Sequence, residues 1–211
     1  MQKRNPDIEK VIDFSYNGCT GLIAPGQVRS EITQLVKILK ERKPVSIIEI
    51  GTYTGGSLFL FSSAAAPDAK ITSVDLPQGE FGGGYPEWLA PFYGSFATEK
   101  QEVHLIRGDS HKDEILKKVK GVLGGRKVDF LFIDGDHTYK GVKRDFEACR
   151  KLVCRGGIIA LHDIVVHPPE TKCDVARFWE EVKKEYKTKD LVQDYNPDLP
   201  GFRHINPNAQ V

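Results

Sequence analysis

The chain has 211 residues, which suits one domain with appendages, and its formal net charge of +1 gives no overall attraction to nucleic acid. Its four cysteines form no CxxC pair and no metal-finger spacing, so we expect reduced thiols in a cytoplasmic protein. We expect neither a signal peptide nor an apolar run long enough to span a bilayer. Composition and charge therefore exclude a disulfide scaffold and predict no nucleic-acid or membrane partner.

Apolar runs alternate with helical patterns along the chain, which is typical of a parallel sheet covered by helices. The pattern begins with a helix over Gln27–Arg42, whose apolar side chains recur on one face. Strands and helices are then predicted in alternation: strands over Ser46–Ile50, Ile71–Asp75, Val103–Arg107, Val128–Asp134 and Gly157–His162, and helices over Ser57–Ala66, His111–Leu123, Tyr139–Val153 and Asp174–Tyr186. Weaker strand candidates lie around Leu191 and Phe202. These elements predict an α/β, Rossmann-like doubly wound fold with a mostly parallel seven-stranded sheet and helices on both faces.

We expect a single domain over residues 1–211, with an N-terminal helical appendage over residues 1–43 and an insertion over residues 77–100. The insertion contains EFGGGYPEWLAPFYGSF and follows a strand end, so it is predicted to be an active-site lid or an acceptor wall. Its aromatic side chains indicate a partly aromatic pocket: Phe81, Tyr85, Trp88 and Tyr93. The alternative is an ordinary packed surface loop.

The stretch Val45–Ser57, VSIIEIGTYTGGS, is an apolar run that breaks into a glycine-spaced turn. Glycines at 51, 55 and 56 allow positive φ and a close approach of the backbone to a ligand. The spacing is Glu-x-Gly-x-x-x-Gly rather than Gly-x-Gly-x-x-Gly, which argues against a standard dinucleotide site. The turn therefore favours an adenosyl cofactor, although many βα turns without a ligand also carry two glycines.

Ligands of an open parallel sheet bind outside the carboxyl ends of the strands, so polar residues at those ends are candidates for binding. Asp75 ends the second strand, where a carboxylate about twenty residues beyond the glycine turn can accept hydrogen bonds from both ribose hydroxyls. Asp109 ends the third strand and could meet the adenine amino edge, with Ser110 beside it. Asp109 is equally suited to capping the helix that follows, and the two roles are compatible.

The fourth and fifth strands end in DFLFIDGDHTY and GGIIALHDIV, which bring polar side chains to one edge: Asp134, Asp136, His137, His162 and Asp163. Converging carboxylates repel unless a cation or a proton lies between them, so this edge predicts a hard divalent metal or a raised pKa. Asp134 and Asp163 are the natural oxygen ligands, and His137 is close enough to act as a general base. Asp136 is better explained as a helix cap. His162 fits a third metal ligand and a satisfied strand-end histidine equally well.

Together these motifs resemble the class I S-adenosyl-L-methionine (SAM)-dependent methyltransferases over Gly26–Trp179. The pair FIDGDHTYKGVKRDFE and GGIIALHDI is similar to the metal-dependent natural-product and sugar O-methyltransferases and to cephalosporin-hydroxylase-like proteins. The resemblance implies a set of residues around SAM: Glu49, Gly51, Thr52, Tyr53, Gly55, Ser57, Asp75, Gly108, Asp109, Ser110 and Asp134. It also implies a divalent metal, Mg²⁺ first, on Asp134, His162 and Asp163, with His137 as the catalytic base.

The reaction that the resemblance implies is in-line transfer of a methyl group from a sulfonium to a hydroxyl of a small molecule such as a sugar, phenol or natural product. Related sugar enzymes have an acidic residue where this chain has His162, and catechol-type relatives have an asparagine where it has Ile164. A histidine ligand favours manganese, iron or nickel over magnesium. The metal ligands are therefore matched less fully than the cofactor residues. The sequence decides neither the identity of the acceptor nor whether the chain forms a homodimer.

Two other classes of function remain as alternatives. The pair His162–Asp163 with Asp134 could pass for the iron site of a hydroxylase or oxidoreductase, although a clear spacing of two histidines and one carboxylate is missing. A non-catalytic cofactor-binding protein would keep the fold and lose the acceptor chemistry, because function is carried by the site. The apparently complete set of metal ligands and base argues against the second alternative.

Overall fold

A six-stranded sheet lies at the centre of the computed structural model, which describes residues 7–98, 100–192 and 205–207. The strands are β1 (Ser46–Ile50), β2 (Lys70–Asp75), β3 (Glu102–Arg107), β4 (Val128–Ile133), β5 (Val153–His162) and β6 (Ile205–Pro207). The helices are α1 (Ile8–Asn17), α2 (Arg29–Arg42), α3 (Gly56–Ala64), α4 (Ala90–Gly94), α5 (Asp113–Leu123), α6 (Tyr139–Cys149) and α7 (Val175–Glu185).

The strands lie in the order β3-β2-β1-β4-β5-β6, so the direction of winding reverses between β1 and β4. Strands β1 to β5 are parallel, which confirms the Rossmann-like α/β fold, and β6 pairs antiparallel with the end of β5. A seventh strand is not found within the described ranges. Leu191 lies in an isolated β-bridge, and the candidate at Phe202 falls outside the described residues.

Two hydrophobic cores cover the two faces of the sheet, because side chains alternate along each strand. On β4, Phe130 and Phe132 belong to the core beneath α1, α2 and α3, whereas Leu131 and Ile133 belong to the core beneath α5, α6 and α7. Phe61 of α3 packs edge-on against both phenylalanines. The prediction of helices on both faces is therefore confirmed.

The helix predicted over Tyr139–Val153 is too long at its C-terminal end. Helix α6 stops at Cys149, a 3₁₀ turn covers Arg150–Leu152, and Val153 already pairs with Val128 of β4.

At the other end of the chain, the predicted helical appendage contains α1, whose Ile12 is fully buried. Among the described residues, no helix is both long enough and apolar enough to cross a membrane.

The insertion after β2 is ordered around its aromatic side chains and holds a 3₁₀ turn, Glu87–Leu89, followed by α4. Tyr85 and Tyr93 are buried, with ring centroids 4.9 Å apart. Trp88 is 73% exposed, so the expectation that it contributes to an aromatic pocket is wrong in this conformation. Tyr85 and Tyr93 instead pack into the core beneath α3.

Candidate active site

The turn between β1 and α3 requires glycine at its first position. Gly51 has φ +96°, and a Cβ atom there would lie 2.0 Å from the carbonyl oxygen of Asp134, at the end of β4. Gly55 has φ +78° at the N-cap of α3, where the ring of Tyr93 lies against it. The glycines therefore let the end of β1 touch the end of β4, so that a ligand over this turn also lies over Asp134.

Glu49 is fully buried behind the turn rather than exposed in a cavity. Its carboxyl group accepts hydrogen bonds from Ser57 Oγ, at 2.6 Å, and from Ser73 Oγ. Burial raises the pKa of Glu49 to about 8, although the two serine hydrogen bonds act in the opposite direction. In this conformation Glu49 fixes the position of the Ser57 hydroxyl by accepting its hydrogen bond. A direct contact between Glu49 and a cofactor remains a prediction.

Asp75, at the end of β2, ties the glycine turn to the insertion. One carboxylate oxygen accepts the backbone N–H of Thr52 at 3.2 Å, and the other accepts those of Gly84, at 2.7 Å, and Tyr85, at 3.3 Å. The guanidinium of Arg107 donates to the carbonyl of Tyr85 and lies over its ring. The residue predicted to bind ribose therefore also anchors the insertion, an interaction that the sequence pattern did not reveal.

Two cavities open on the carboxyl edge of the sheet and share one wall. The first, of about 290 Å³, contains seven of the predicted cofactor residues: Gly51, Tyr53, Asp75, Gly108, Asp109, Ser110 and Asp134. The second, of about 200 Å³, is lined by Gln27, Thr52, Ser57 and His137, among others. Gly51, Tyr53, Phe81 and Asp134 line both cavities. The site thus offers two adjoining compartments that meet at Asp134.

The predicted helix caps next to the first cavity differ in detail from the structure. Asp109 accepts the backbone N–H of His111 at 2.8 Å, but α5 begins at Asp113, so Asp109 closes a turn ahead of the helix. Asp136 likewise accepts the N–H of Thr138 at 2.9 Å. The N-cap of α6 is Thr138 itself, so the capping role expected for Asp136 is wrong. Both aspartates keep a wall position in the first cavity.

Four charged side chains predicted from the strand ends come together at the wall of the second cavity. His137 bridges the two carboxylates, with Nε2 3.1 Å from Asp134 Oδ1 and Nδ1 2.9 Å from Asp163 Oδ2. His162 Nδ1 lies 2.8 Å from Asp134 Oδ1 and 3.3 Å from Asp163 Oδ1. Of the four, Asp134 and His137 line a cavity, whereas His162 and Asp163 lie beneath them.

The carboxylates and imidazoles of this cluster hold each other in their charged forms. Burial lowers the pKa of His137, but its contacts with Asp134 and Asp163 outweigh burial and raise that pKa to about 10. The same carboxylates raise the pKa of His162 against the effect of burial. Burial raises the pKa of each aspartate, but the two histidines outweigh it and lower both. At neutral pH, and without a bound cation, His137 therefore carries a proton.

The donor atoms at this edge fit a divalent cation. One ligand atom each from Asp134, His162 and Asp163 lies within 4.8 Å of the other two. Two carboxylate oxygens with an imidazole nitrogen suit manganese, iron or zinc better than magnesium, which prefers oxygen throughout. The second ring nitrogen of His162 is buried without a hydrogen-bond partner. A ligating His162 would therefore lack the outer hydrogen bond that usually orients such a ring.

Two residues of the site, Gln27 and Cys173, were not predicted from the sequence, and Phe81 was predicted only as one of the aromatic residues of a pocket. Gln27, ahead of α2, donates from Nε2 to Asp134 Oδ2 at 2.7 Å. Phe81 of the insertion stacks on His137, with ring centroids 4.7 Å apart. Cys173 places its thiol within 4.8 Å of ligand atoms of His137 and Asp163. These residues come from loops that carry no motif of their own, and only the aromatic content of the insertion pointed to Phe81.

Comparison with known proteins identifies the family. The model of a family described as "Methyltransferase domain" matches residues 48–164, more than half of the chain. The chain belongs to this methyltransferase family, which confirms the resemblance carried by the glycine turn and the two aspartate-rich strand ends. The matched range contains the glycine turn and both strand ends, and it ends one residue after Asp163.

Individual relatives are similar over part of their length. "Tapetum-specific methyltransferase 1" of Arabidopsis thaliana is 32% identical over 131 residues, which are 61% of this chain and 49% of that protein. "Caffeoyl-CoA O-methyltransferase" of Populus kitakamiensis is 26% identical over 154 residues, which are 73% of this chain and 60% of that protein. The chain thus spans about half the length of the first of these two relatives and three fifths of the second.

Solved structures share the fold. An O-methyltransferase from Bacillus cereus in complex with S-adenosylhomocysteine (SAH) has a TM-score of 0.60 at 17% identity, covering 98% of this chain and 91% of its own. TomG from Streptomyces achromogenes, an O-methyltransferase of tomaymycin synthesis in complex with SAM, has a TM-score of 0.60 at 16% identity, covering 100% of this chain and 92% of its own. At such low identity these structures establish the fold, and their ligands belong to them.

Proposed function

We propose that this protein is a SAM-dependent O-methyltransferase that needs a divalent metal and methylates a hydroxyl of a small molecule. The observation that carries the proposal is the pair of adjoining cavities with Asp134 in their common wall and His137 in the second cavity alone. In this arrangement SAM occupies the first cavity, and the acceptor hydroxyl enters the second. The natural-product, sugar or phenol class of the acceptor rests on the resemblance alone.

In the proposed cofactor site, Asp75 binds the ribose and Asp109 faces the adenine, while the turn at Gly51 lets the sulfonium approach the common wall. Asp75 already accepts three backbone N–H groups, two of them at Oδ2, so Oδ1 is the oxygen that keeps a lone pair for a ribose hydroxyl. Because Gly84 and Tyr85 are among those donors, a bound ribose and the insertion share one anchor. Cofactor binding is therefore expected to stabilise the insertion in its position beside the acceptor cavity.

Asp134, His162 and Asp163 would hold the metal of the proposal, which would lower the pKa of an acceptor hydroxyl and fix its position. His137 can take the remaining proton only when it is itself neutral. In the cation-free cluster it is protonated, because Asp134 and Asp163 stabilise its charge. Asp134 and Asp163 would no longer need the charge of His137 if they held a divalent cation, so the base role of His137 would depend on metal binding.

Methyl transfer itself requires little of the protein beyond position. The acceptor oxygen would attack the methyl carbon in line with its bond to sulfur, the carbon–sulfur bond would break as the carbon–oxygen bond forms, and SAH would leave as a neutral thioether. The hydroxyl proton would pass to His137. Phe81, stacked on His137, restricts the tilt of the imidazole and covers the junction of the cavities. Exclusion of water at that junction strengthens the electrostatic interactions that hold the reacting groups.

Calorimetric titration with SAH tests the cofactor half of the proposal, with NAD as a control ligand. We expect micromolar binding of SAH, no heat from NAD, and no loss of SAH binding when metal is removed with EDTA. Binding of NAD instead of SAH would refute the proposed function. A screen of sugars and phenols in the presence of Mg²⁺ or Mn²⁺, read as SAH production, then tests acceptor class and metal dependence.

A further inference from the structure

A cysteine lies beside the catalytic cluster without being part of the metal set described above. The segment between the 3₁₀ turn Pro169–Thr171 and α7 is held in place by its backbone: Asp174 donates its N–H to the carbonyl of His137 at 2.9 Å. The N–H of Cys173 donates to Thr171 Oγ1 at 3.2 Å. This backbone hydrogen bond between Asp174 and His137 therefore holds the neighbouring Cys173 thiol close to His137.

The atoms around this thiol form a second set of three potential metal ligands. One ligand atom each from His137, Asp163 and Cys173 lies within 4.8 Å of the other two. Asp163 is common to both sets and turns a different oxygen to each: Oδ1 lies 3.3 Å from His162 Nδ1, and Oδ2 lies 2.9 Å from His137 Nδ1. The histidines of the two sets therefore contact different oxygens of one carboxylate group.

The chemistry of the two sets differs. The first combines two carboxylates and an imidazole, whereas the second contains a thiol, and thiolate sulfur selects Zn²⁺ and similar ions over Mg²⁺ and Ca²⁺. Burial and the charge of Asp163 raise the pKa of Cys173 to about 12, so the thiol is protonated before a metal binds. Metal binding must release that proton, and one proton of the His137 imidazolium, to solvent.

We propose that His137, Asp163 and Cys173 form a second, thiol-containing site that takes Zn²⁺ or another thiophilic divalent ion. Three bonds to the ion form, from an imidazole nitrogen, a carboxylate oxygen and a thiolate sulfur, and no group changes oxidation state. An imidazole that binds the ion through one nitrogen keeps a proton on the other, so His137 can no longer accept the proton of the acceptor hydroxyl. Zn²⁺ in this site therefore inhibits methyl transfer, a consequence that rests on the proposed function, whereas ion binding itself does not.

Cobalt spectroscopy tests the site without any turnover. Co²⁺ replaces Zn²⁺ in such sites, and a bond from thiolate to Co²⁺ gives a charge-transfer absorption in the near ultraviolet. Titration of the full chain with Co²⁺ should produce this band, and Cys173→Ser should abolish it. The matched control is Cys154→Ser, which should retain the band because Cys154 lies at the opposite end of β5, where its thiol meets Asp129.

Cys173→Ala serves as a second variant, and circular dichroism establishes that both variants are folded. Zn²⁺ affinity should fall in both by at least the roughly 10–100-fold that loss of an outer-shell partner costs. A band that persists in folded Cys173→Ser or Cys173→Ala overturns the proposal, as does a wild-type protein that gives no band. SAH affinity separates the two hypotheses: a protein that shows the cobalt band but binds no SAH refutes the methyltransferase proposal and leaves the thiol site standing.

Discussion

Replacement of Gly51 by alanine tests the contact on which the cofactor turn depends. The added Cβ would lie 2.0 Å from the carbonyl oxygen of Asp134, a backbone atom that cannot move without shifting the end of β4. The residue would also hold φ +96°, which side chains rarely tolerate. The positive φ costs about 1–2 kcal/mol and the overpacked contact about 1–3 kcal/mol, so the free energy of unfolding should fall by about 2–5 kcal/mol.

Gly125→Ala is a matched control for this substitution. Gly125 has φ +83°, close to that of Gly51, but a Cβ there meets no atom within 4 Å. The control therefore carries the conformational cost alone, about 1–2 kcal/mol, and keeps the cofactor site intact. Urea unfolding of both variants measures the difference, which isolates the steric contact between the ends of β1 and β4.

SAH calorimetry on the same two proteins connects this contact to function. Gly51→Ala should lose SAH affinity by more than tenfold, since even a partial shift of Asp134 alters the wall between the cavities, whereas Gly125→Ala should bind SAH as the wild type does. Equal stability and equal SAH affinity in the two variants would contradict the reasoning, because it would mean that the turn relaxes freely and that its closeness to Asp134 has no role.

Three further changes address the chemistry of the site. His137→Ala should lower kcat by about 10²–10⁴ while leaving SAH affinity nearly intact, and unchanged turnover would remove His137 from the mechanism. Asp134→Asn should abolish metal-dependent activity. If this variant turned over at the wild-type rate in EDTA, the hypothesis that catalysis needs a metal would be refuted. Glu49, whose pKa is raised to about 8, contributes stability that is full below about pH 4.5 and is lost as the pH rises towards 8. Glu49→Gln should therefore flatten the fall in unfolding free energy between those pH values, measured by urea unfolding against the wild type.

The sequence was sufficient for those parts of the fold where pattern and burial agree. Strand β1 was predicted at its observed bounds because Ser46–Ile50 is a continuous run that is buried on both faces of the sheet. The end of α6 was missed because Phe146, Cys149 and Val153 continue a plausible helical spacing. Only the pairing of Val153 with Val128, a tertiary interaction, ends the helix and starts β5. Local spacing alone does not contain that information.

The same distinction separates the predicted from the unpredicted parts of the site. Asp75, Asp109, Asp134 and Asp163 were found because parallel strands bring their carboxyl ends to one edge, a rule that needs only the strand positions. Gln27 reaches Asp134 across 107 positions of sequence, and Cys173 reaches His137 through a loop without regular structure. Neither residue has a motif, so their positions depend on how the segments outside the sheet pack over its edge.

Backbone strain at the site supports a functional interpretation of two side chains in particular. Tyr53 has φ +48° and Asp163 has φ +57°, in the left-handed region that glycine would occupy at lower cost. A non-glycine residue held there costs on the order of 1–3 kcal/mol and persists where its surroundings fix it, often at a binding site. At Asp163 the left-handed turn directs one oxygen to His162 and the other to His137. At Tyr53 it holds a half-exposed ring in the wall that both cavities share. Glycine would relieve the strain at either position, but it would supply neither the carboxylate nor the ring. The strain therefore indicates that the Asp163 carboxylate and the Tyr53 ring have a role in the site.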